Sequence, residues 1–92
     1  MKEAIYRTPE KIDISTNPKF SEDLKNMIAD GKTEIVIDME DTVYISSVGL
    51  RTLLAIHRDC AGKGGKMVIR NAGEMVKSVM EVTGFSQLFN IE

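Results

Sequence analysis

Sulfur bridges, metal clusters and membrane spans are excluded by what is scarce in this chain. Cys60 is the only cysteine among 92 residues, so no internal disulfide can form. His57 is the only histidine, and one His, one Cys and distant carboxylates have no zinc-site spacing. No metal and no cofactor is expected. Charge of one sign is not in excess: 12 Lys and Arg face 14 Asp and Glu, a net charge of −2. With no basic stripe to release counterions, direct nucleic-acid binding is not expected. No apolar run approaches the roughly 18 residues of a membrane span, so no membrane insertion is expected. The N-terminal MKEAIYRTPEK has no apolar signal core, and with the lone cysteine it points to the cytoplasm.

Motifs for catalysis are equally sparse. No GxSxG is present, so no serine sits on a nucleophile elbow. His57 falls in a helical apolar stripe and reads as a packed side chain with one hydrogen bond. Gly62-Lys63-Gly64-Gly65-Lys66 ends a helix and precedes a strand, the reverse of a phosphate-binding loop. No enzyme is expected.

What remains is an ordinary globular composition, 42% hydrophobic and 28% charged, in a single domain over 1–92. Periodicity divides it. Lys2 to Arg7 reads as a strand and Thr8 to Lys11 as a turn. Ile12-Asp13-Ile14 is extended. Asn17-Pro18 opens a helix, with Asn17 as cap and Phe20, Leu24, Met27 and Ile28 inward, closed by Gly31. Glu34 to Asp38 is a strand buried on both faces. A helix runs from Val48 to Ala61 with a stripe of Leu50, Leu53, Leu54, His57 and Ala61, widened by Ile56 and Cys60. Lys66 to Arg70 is a strand. A third helix turns Met75, Val76, Val79 and Met80 inward and ends at Gly84. Leu88 to Ile91 is a last strand. The order β-α-β-α-β-α-β predicts an α/β fold with a mostly parallel four-stranded sheet, its functional loops at the carboxyl ends of the strands.

Two features at those ends carry polar groups. Asp38, Glu40 and Asp41 form an acidic set that reads as a solvated turn. Tyr44-Ile45-Ser46-Ser47-Val48-Gly49-Leu50-Arg51 places two serines where a strand-like run gives way to a helix. A serine there is a strong N-cap, and no Glu or Gln follows to complete a capping box. Local physics leaves open whether the pair is only a cap or includes a regulated hydroxyl.

The run from Ile35 to Arg51 resembles the signature of STAS domains, most closely the bacterial anti-sigma-factor antagonists. Ile12-Asp13, Gly64 to Val68 and Val82 to Phe89 resemble other parts of that family. Ser46 stands where many antagonists have Asp. The family commonly carries a further first strand and a last helix that this sequence leaves out. The resemblance implies that Ser47 is the phosphoacceptor. It also implies a partner-binding surface of Asp13, Asn17, Ser46, Val48, Gly49 and Arg51. The implied partners are an anti-sigma factor that is a serine kinase and a resetting serine phosphatase, with a homodimer also open. Two other readings are a constitutive STAS adaptor, as in a lipid-transport ABC complex, and a nucleotide binder using Asp38, Asp41 and the serine loop.

Overall fold

The β-branched run EIVID forms strand β3 (Glu34–Asp38) near the middle of a parallel sheet. The computed structural model describes residues 3–92. Beside β3 lie β1 (Glu3–Arg7) and β5 (Lys66–Arg70), and β5 is followed by the short β6 (Asn90–Ile91). The order is β1-β3-β5-β6 with every pair parallel. Lys2, read as the start of the first strand, lies outside the described residues.

Helices α1 (Asn17–Ala29), α2 (Ser47–Gly62) and α3 (Glu74–Val82) connect successive strands. Each crossover advances the chain in one direction along the sheet, so right-handed connections place all three helices on one face. Ile35, Ile37, Met67 and Ile69 accordingly share a core with Phe20, Leu24, Leu53, Ile56, Val76 and Met80. The opposite face carries Ile5, Val36 and Val68, cross-strand neighbours on adjacent strands. Val36 is nevertheless only 6% exposed. Glu3, Glu34, Lys66, Arg70 and Glu92 line the same shallow depression, and their aliphatic stems cover it. Thus β3 is buried on both faces, but by long side chains instead of a second helical layer.

Four expectations need correction. Asn17 does not cap α1: Thr16 holds the cap position, with no side-chain cap bond. The side chain of Thr16 is engaged elsewhere, accepting from Asp13 N at 2.9 Å and donating to Lys11 O at 2.8 Å. The buried line of α2 is Gly49, Leu50, Leu53, Ile56 and Cys60, with Ala61 exposed. The helix is wedged between α1 and β5 and turns this narrower seam inward. Met75 of α3 is 66% exposed; the nine-residue helix covers the sheet with buried Val76 and Met80 and with partly buried Val79. Leu88 and Phe89 are not in a strand. A 3₁₀ turn (Phe85–Gln87), entered through Gly84 at φ 83°, delivers only Asn90 and Ile91 to the sheet.

Cys60 is buried in the core, and burial pushes its thiol pKa up. His57 packs edge-on against Phe89 at 5.8 Å. Its expected hydrogen bond is missing at one nitrogen: buried Nδ1 has no partner among the described residues.

Tyr6 anchors the edge strand to α1. Its hydroxyl donates to Asp23 Oδ2 at 2.7 Å, and Lys19 Nζ lies 3.1 Å from the same oxygen. Burial, then the Asp23 carboxylate, push the Tyr6 pKa up to about 12. The folded state therefore keeps a proton that the unfolded chain loses near pH 10. Stability from this group is complete below pH 10 and falls as pH rises from 10 through about 12. Tyr6→Phe should cost about 1 kcal/mol at neutral pH and flatten the alkaline decline. Thermal unfolding of both forms at pH 8 and at pH 11 reads this. An equal alkaline decline would show that Tyr6 is not its source.

Candidate functional site

The site is assembled by a second, very small sheet. Strands β2 (Lys11–Ile12) and β4 (Tyr44–Ile45) pair in parallel, Ile12 opposite Ile45. Ser46 N extends the pairing to Ile12 O at 2.8 Å. Buried hydroxyls lock the approach: Thr8 and Thr42 hydrogen-bond each other, and Thr42 donates to Pro9 O at 2.6 Å. The loop of Asp13 is thereby set beside the serine pair. Strands of two residues are too short for an alternation pattern, and the sequence reading missed their pairing. Lone buried isoleucines at 12 and 45 were the only available signal.

The two serines divide their work. Ser46 is extended (φ −89°, ψ 170°), and its hydroxyl accepts from Gly49 N at 3.5 Å. It is the cap. Ser47 is the first residue of α2 and is exposed. Among the described residues its hydroxyl has no hydrogen-bond partner.

Asp13 shapes the loop ahead of α1. Its Oδ1 accepts from Ser15 Oγ at 2.7 Å, Ser15 N at 3.0 Å and Thr16 N at 3.1 Å. These bonds, the Ser15 hydroxyl first, hold its carboxyl below the usual range. Asn17 Oδ1 accepts from Thr52 Oγ1 at 2.9 Å, tying the start of α1 to α2. Val48 is half-buried and Arg51 exposed. A groove of about 250 Å³ runs between α1 and α2, lined by Val48, Arg51 and Thr52 on one wall and Ser21 and Lys25 on the other.

So the fold places Asp13, Asn17, Ser46, Ser47, Val48 and Arg51 around one helix tip. Gly49 does not lie in that surface. It is buried beneath it, and a Cβ there would sit 2.6 Å from Ile12 Cγ2 and 2.9 Å from Ile45 Cγ1. Gly49, expected on the partner surface, is buried here, and its missing side chain lets α2 settle on the small sheet.

The acidic set is neutralised within the chain. Arg7 pairs with Glu40 at 2.6 Å and with Asp41 at 3.0 Å. Asp38 Oδ1 accepts from Asn71 Nδ2 and Glu40 N, each at 3.1 Å, and these bonds, Asn71 first, lower its pKa. Among the described residues no group of three His, Cys, Asp or Glu is placed to hold a metal ion. No helix among them is long and apolar enough to cross a membrane.

The sequence model of the STAS domain family matches residues 2–92. The chain belongs to the STAS domain family. Among curated relatives of this STAS domain, the Bordetella bronchiseptica protein BtrV, assigned as an anti-sigma factor antagonist, is 29% identical over 69 residues. That match takes in 75% of this chain and 60% of BtrV, so the chain spans less than two thirds of that relative. The Staphylococcus aureus anti-sigma-B factor antagonist is 24% identical over 81 residues, 88% of this chain and 75% of the relative. The solved structure of the anti-sigma factor antagonist SpoIIAA in its unphosphorylated form superposes with a TM-score of 0.83 at 18% identity, covering 98% of this chain and 79% of that one. The observed sheet and three helices are those of the STAS fold.

In this STAS domain no side chain among the described residues hydrogen-bonds the Ser47 hydroxyl. The sole histidine, His57, packs against Phe89. Gly49→Ala should cost about 1–3 kcal/mol, because the new methyl must displace packed Ile12 and Ile45. Urea unfolding measures the loss, and an unchanged midpoint would show that α2 can lift without penalty.

Proposed function

We propose that this STAS domain is a cytoplasmic anti-sigma factor antagonist whose grip on its partner is switched by phosphorylation of Ser47. The observation that carries the reading is the division between the serines: Ser46 caps α2 and leaves Ser47 exposed and uncommitted. The partner is an anti-sigma factor that is itself a serine kinase. It docks on the surface of Asp13, Asn17, Ser46, Val48 and Arg51, and its capture frees a sigma factor. This chain contacts no nucleic acid directly.

In the transfer step the Ser47 Oγ–H bond breaks and an Oγ–P bond forms. The γ-phosphoryl leaves ATP, ADP departs, and the hydroxyl proton passes to a base on the kinase. The product carries about −1.5 to −2 charges at the helix tip. A dianion there is tolerated by the helix dipole but is set against whatever acidic or apolar group the partner presents. A serine phosphatase reverses the step by hydrolysis.

Incubation with the anti-sigma factor kinase and ATP, followed by mass spectrometry, tests the assignment. One phosphate is expected on Ser47, absent in Ser47→Ala and retained in Ser46→Ala. Label that persists in Ser47→Ala and vanishes in Ser46→Ala would sink it.

A further inference from the structure

We infer that the groove between α1 and α2 receives an acidic side chain of the partner through Arg51 and Lys25, and that phosphate on Ser47 draws Arg51 away from it. The inference rests on the Ser47 reading and gives the partner surface a chemistry.

The charge pattern points to it. Three other cations are committed to carboxylates of this chain: Arg7 to Glu40 and Asp41, Lys19 to Asp23, Arg70 to Glu92. Arg51 and Lys25 have no ion-pair partner among the described residues, as is also true of Lys11, Arg58, Lys63, Lys66 and Lys77; what sets the two apart is that both line this groove. No acidic residue lines it, while Val48, Ala55 and Ile56 supply its apolar lining and Ser21 and Thr52 its hydroxyls. In a chain of net charge −2, this is a local positive site with an apolar floor. A carboxylate flanked by an apolar side chain complements it: the guanidinium fork binds two oxygens and the ammonium adds a point charge. A basic segment would be repelled.

Ser47 and Arg51 are four residues apart on α2, so they are neighbours on one helix face. The anion lies N-terminal to the cation, the favoured order. Phosphate oxygens also match a guanidinium fork. A phosphate on Ser47 therefore competes with the partner's carboxylate for the same group. Phosphorylation acts twice, placing negative charge at the groove entrance and occupying one of its two cations.

Two measurements separate these parts. With phosphoserine installed at 47 by engineered translation, phosphorus NMR reads the second phosphate pKa. It should lie about half a unit lower with Arg51 than in Arg51→Gln, and equal values overturn the pairing. For the groove, the probe is a helical peptide of Leu, Ala and Glu, with a twin carrying Gln for Glu. Titrated into the unphosphorylated, nitrogen-labelled domain, the Glu peptide should move the amide signals of Lys25, Arg51 and Thr52. Affinity should fall at least tenfold for the Gln twin and for the Lys25→Gln/Arg51→Gln double variant. Equal affinity for the twins, shifts elsewhere or no shift at all overturns the groove assignment. Kinase labelling of Ser47 judges the switch reading independently, so failure of the groove leaves that result standing, and the converse.

Discussion

Gly65→Ala should destabilise this domain by about 3 kcal/mol or more, the largest loss expected from any single methyl group. The cause is space. A Cβ at Gly65 would stand 1.9 Å from Thr33 O and 2.6 Å from Thr33 C. Those are backbone atoms, which cannot swing aside as a side-chain tip can. Nor can the two segments separate cheaply, because Lys66 N donates to Thr33 O at 2.9 Å and Gly65 N donates to Cys60 O at 2.8 Å. These bonds join the starts of β3 and β5 and seat the end of α2. The neighbouring Gly64 is a useful contrast. It has φ 77°, and no heavy atom lies within 4 Å of where its methyl would stand, so Gly64→Ala meets only the left-handed backbone penalty of about 1–2 kcal/mol. Thermal unfolding distinguishes the two: for a domain of this size about 3 kcal/mol lowers the midpoint by more than about 12 °C. A midpoint for Gly65→Ala within a degree or two of the parent would show that the contact relaxes freely.

Ser47→Asp should weaken binding to the anti-sigma factor by about a hundredfold or more while leaving the fold intact. Stability is spared because an anion at the first turn of α2 faces the positive end of the helix dipole, a gain of about 0.3–1 kcal/mol at an exposed site. Binding is not spared, because on the proposed reading the same anion faces an acidic side chain of the partner. A loss of about 3 kcal/mol of binding free energy is already more than a hundredfold. Aspartate carries one charge where phosphate carries nearly two, so the phosphorylated chain should bind more weakly still. Ser46→Ala should behave in the opposite way. It removes the α2 cap and costs about 1 kcal/mol of stability without adding charge, so any loss of affinity should stay well below that of Ser47→Asp. Calorimetric titration of the three proteins into the anti-sigma factor, with circular dichroism for fold, reads both effects. Equal affinity of wild type and Ser47→Asp would remove the electrostatic switch.

Much of the architecture was legible along the chain. The central strands read as short β-branched runs between charges, and the helices as apolar repeats with glycine just past their ends. Gly31, at φ 90°, follows α1 as expected of a residue that leaves a helix. Which of several adjacent apolar residues faces inward was less legible. In α2 both the Leu54–His57–Ala61 side and the Gly49–Ile56–Cys60 side satisfy helical spacing, and only packing against α1 and β5 chose the second. The same holds for the helix starts. Asn17 and Thr16 are both good caps by type, and the bonds Thr16 makes to Asp13 and Lys11 set the boundary.

The candidate site shows the same limit more sharply. That a pair of hydroxyls would stand at the start of a helix follows from the residues alone, because apolar residues recur at helical spacing from Leu50 onward. Three-dimensional packing was needed to make Ser46 the cap and Ser47 the open hydroxyl, to put Gly49 underneath, and to stand Asp13 and Asn17 alongside. Those relations depend on the pairing of Ile12 with Ile45 and on the Asn17–Thr52 bond. Both join residues more than thirty positions apart, and contacts at that separation leave no periodic trace in a single chain.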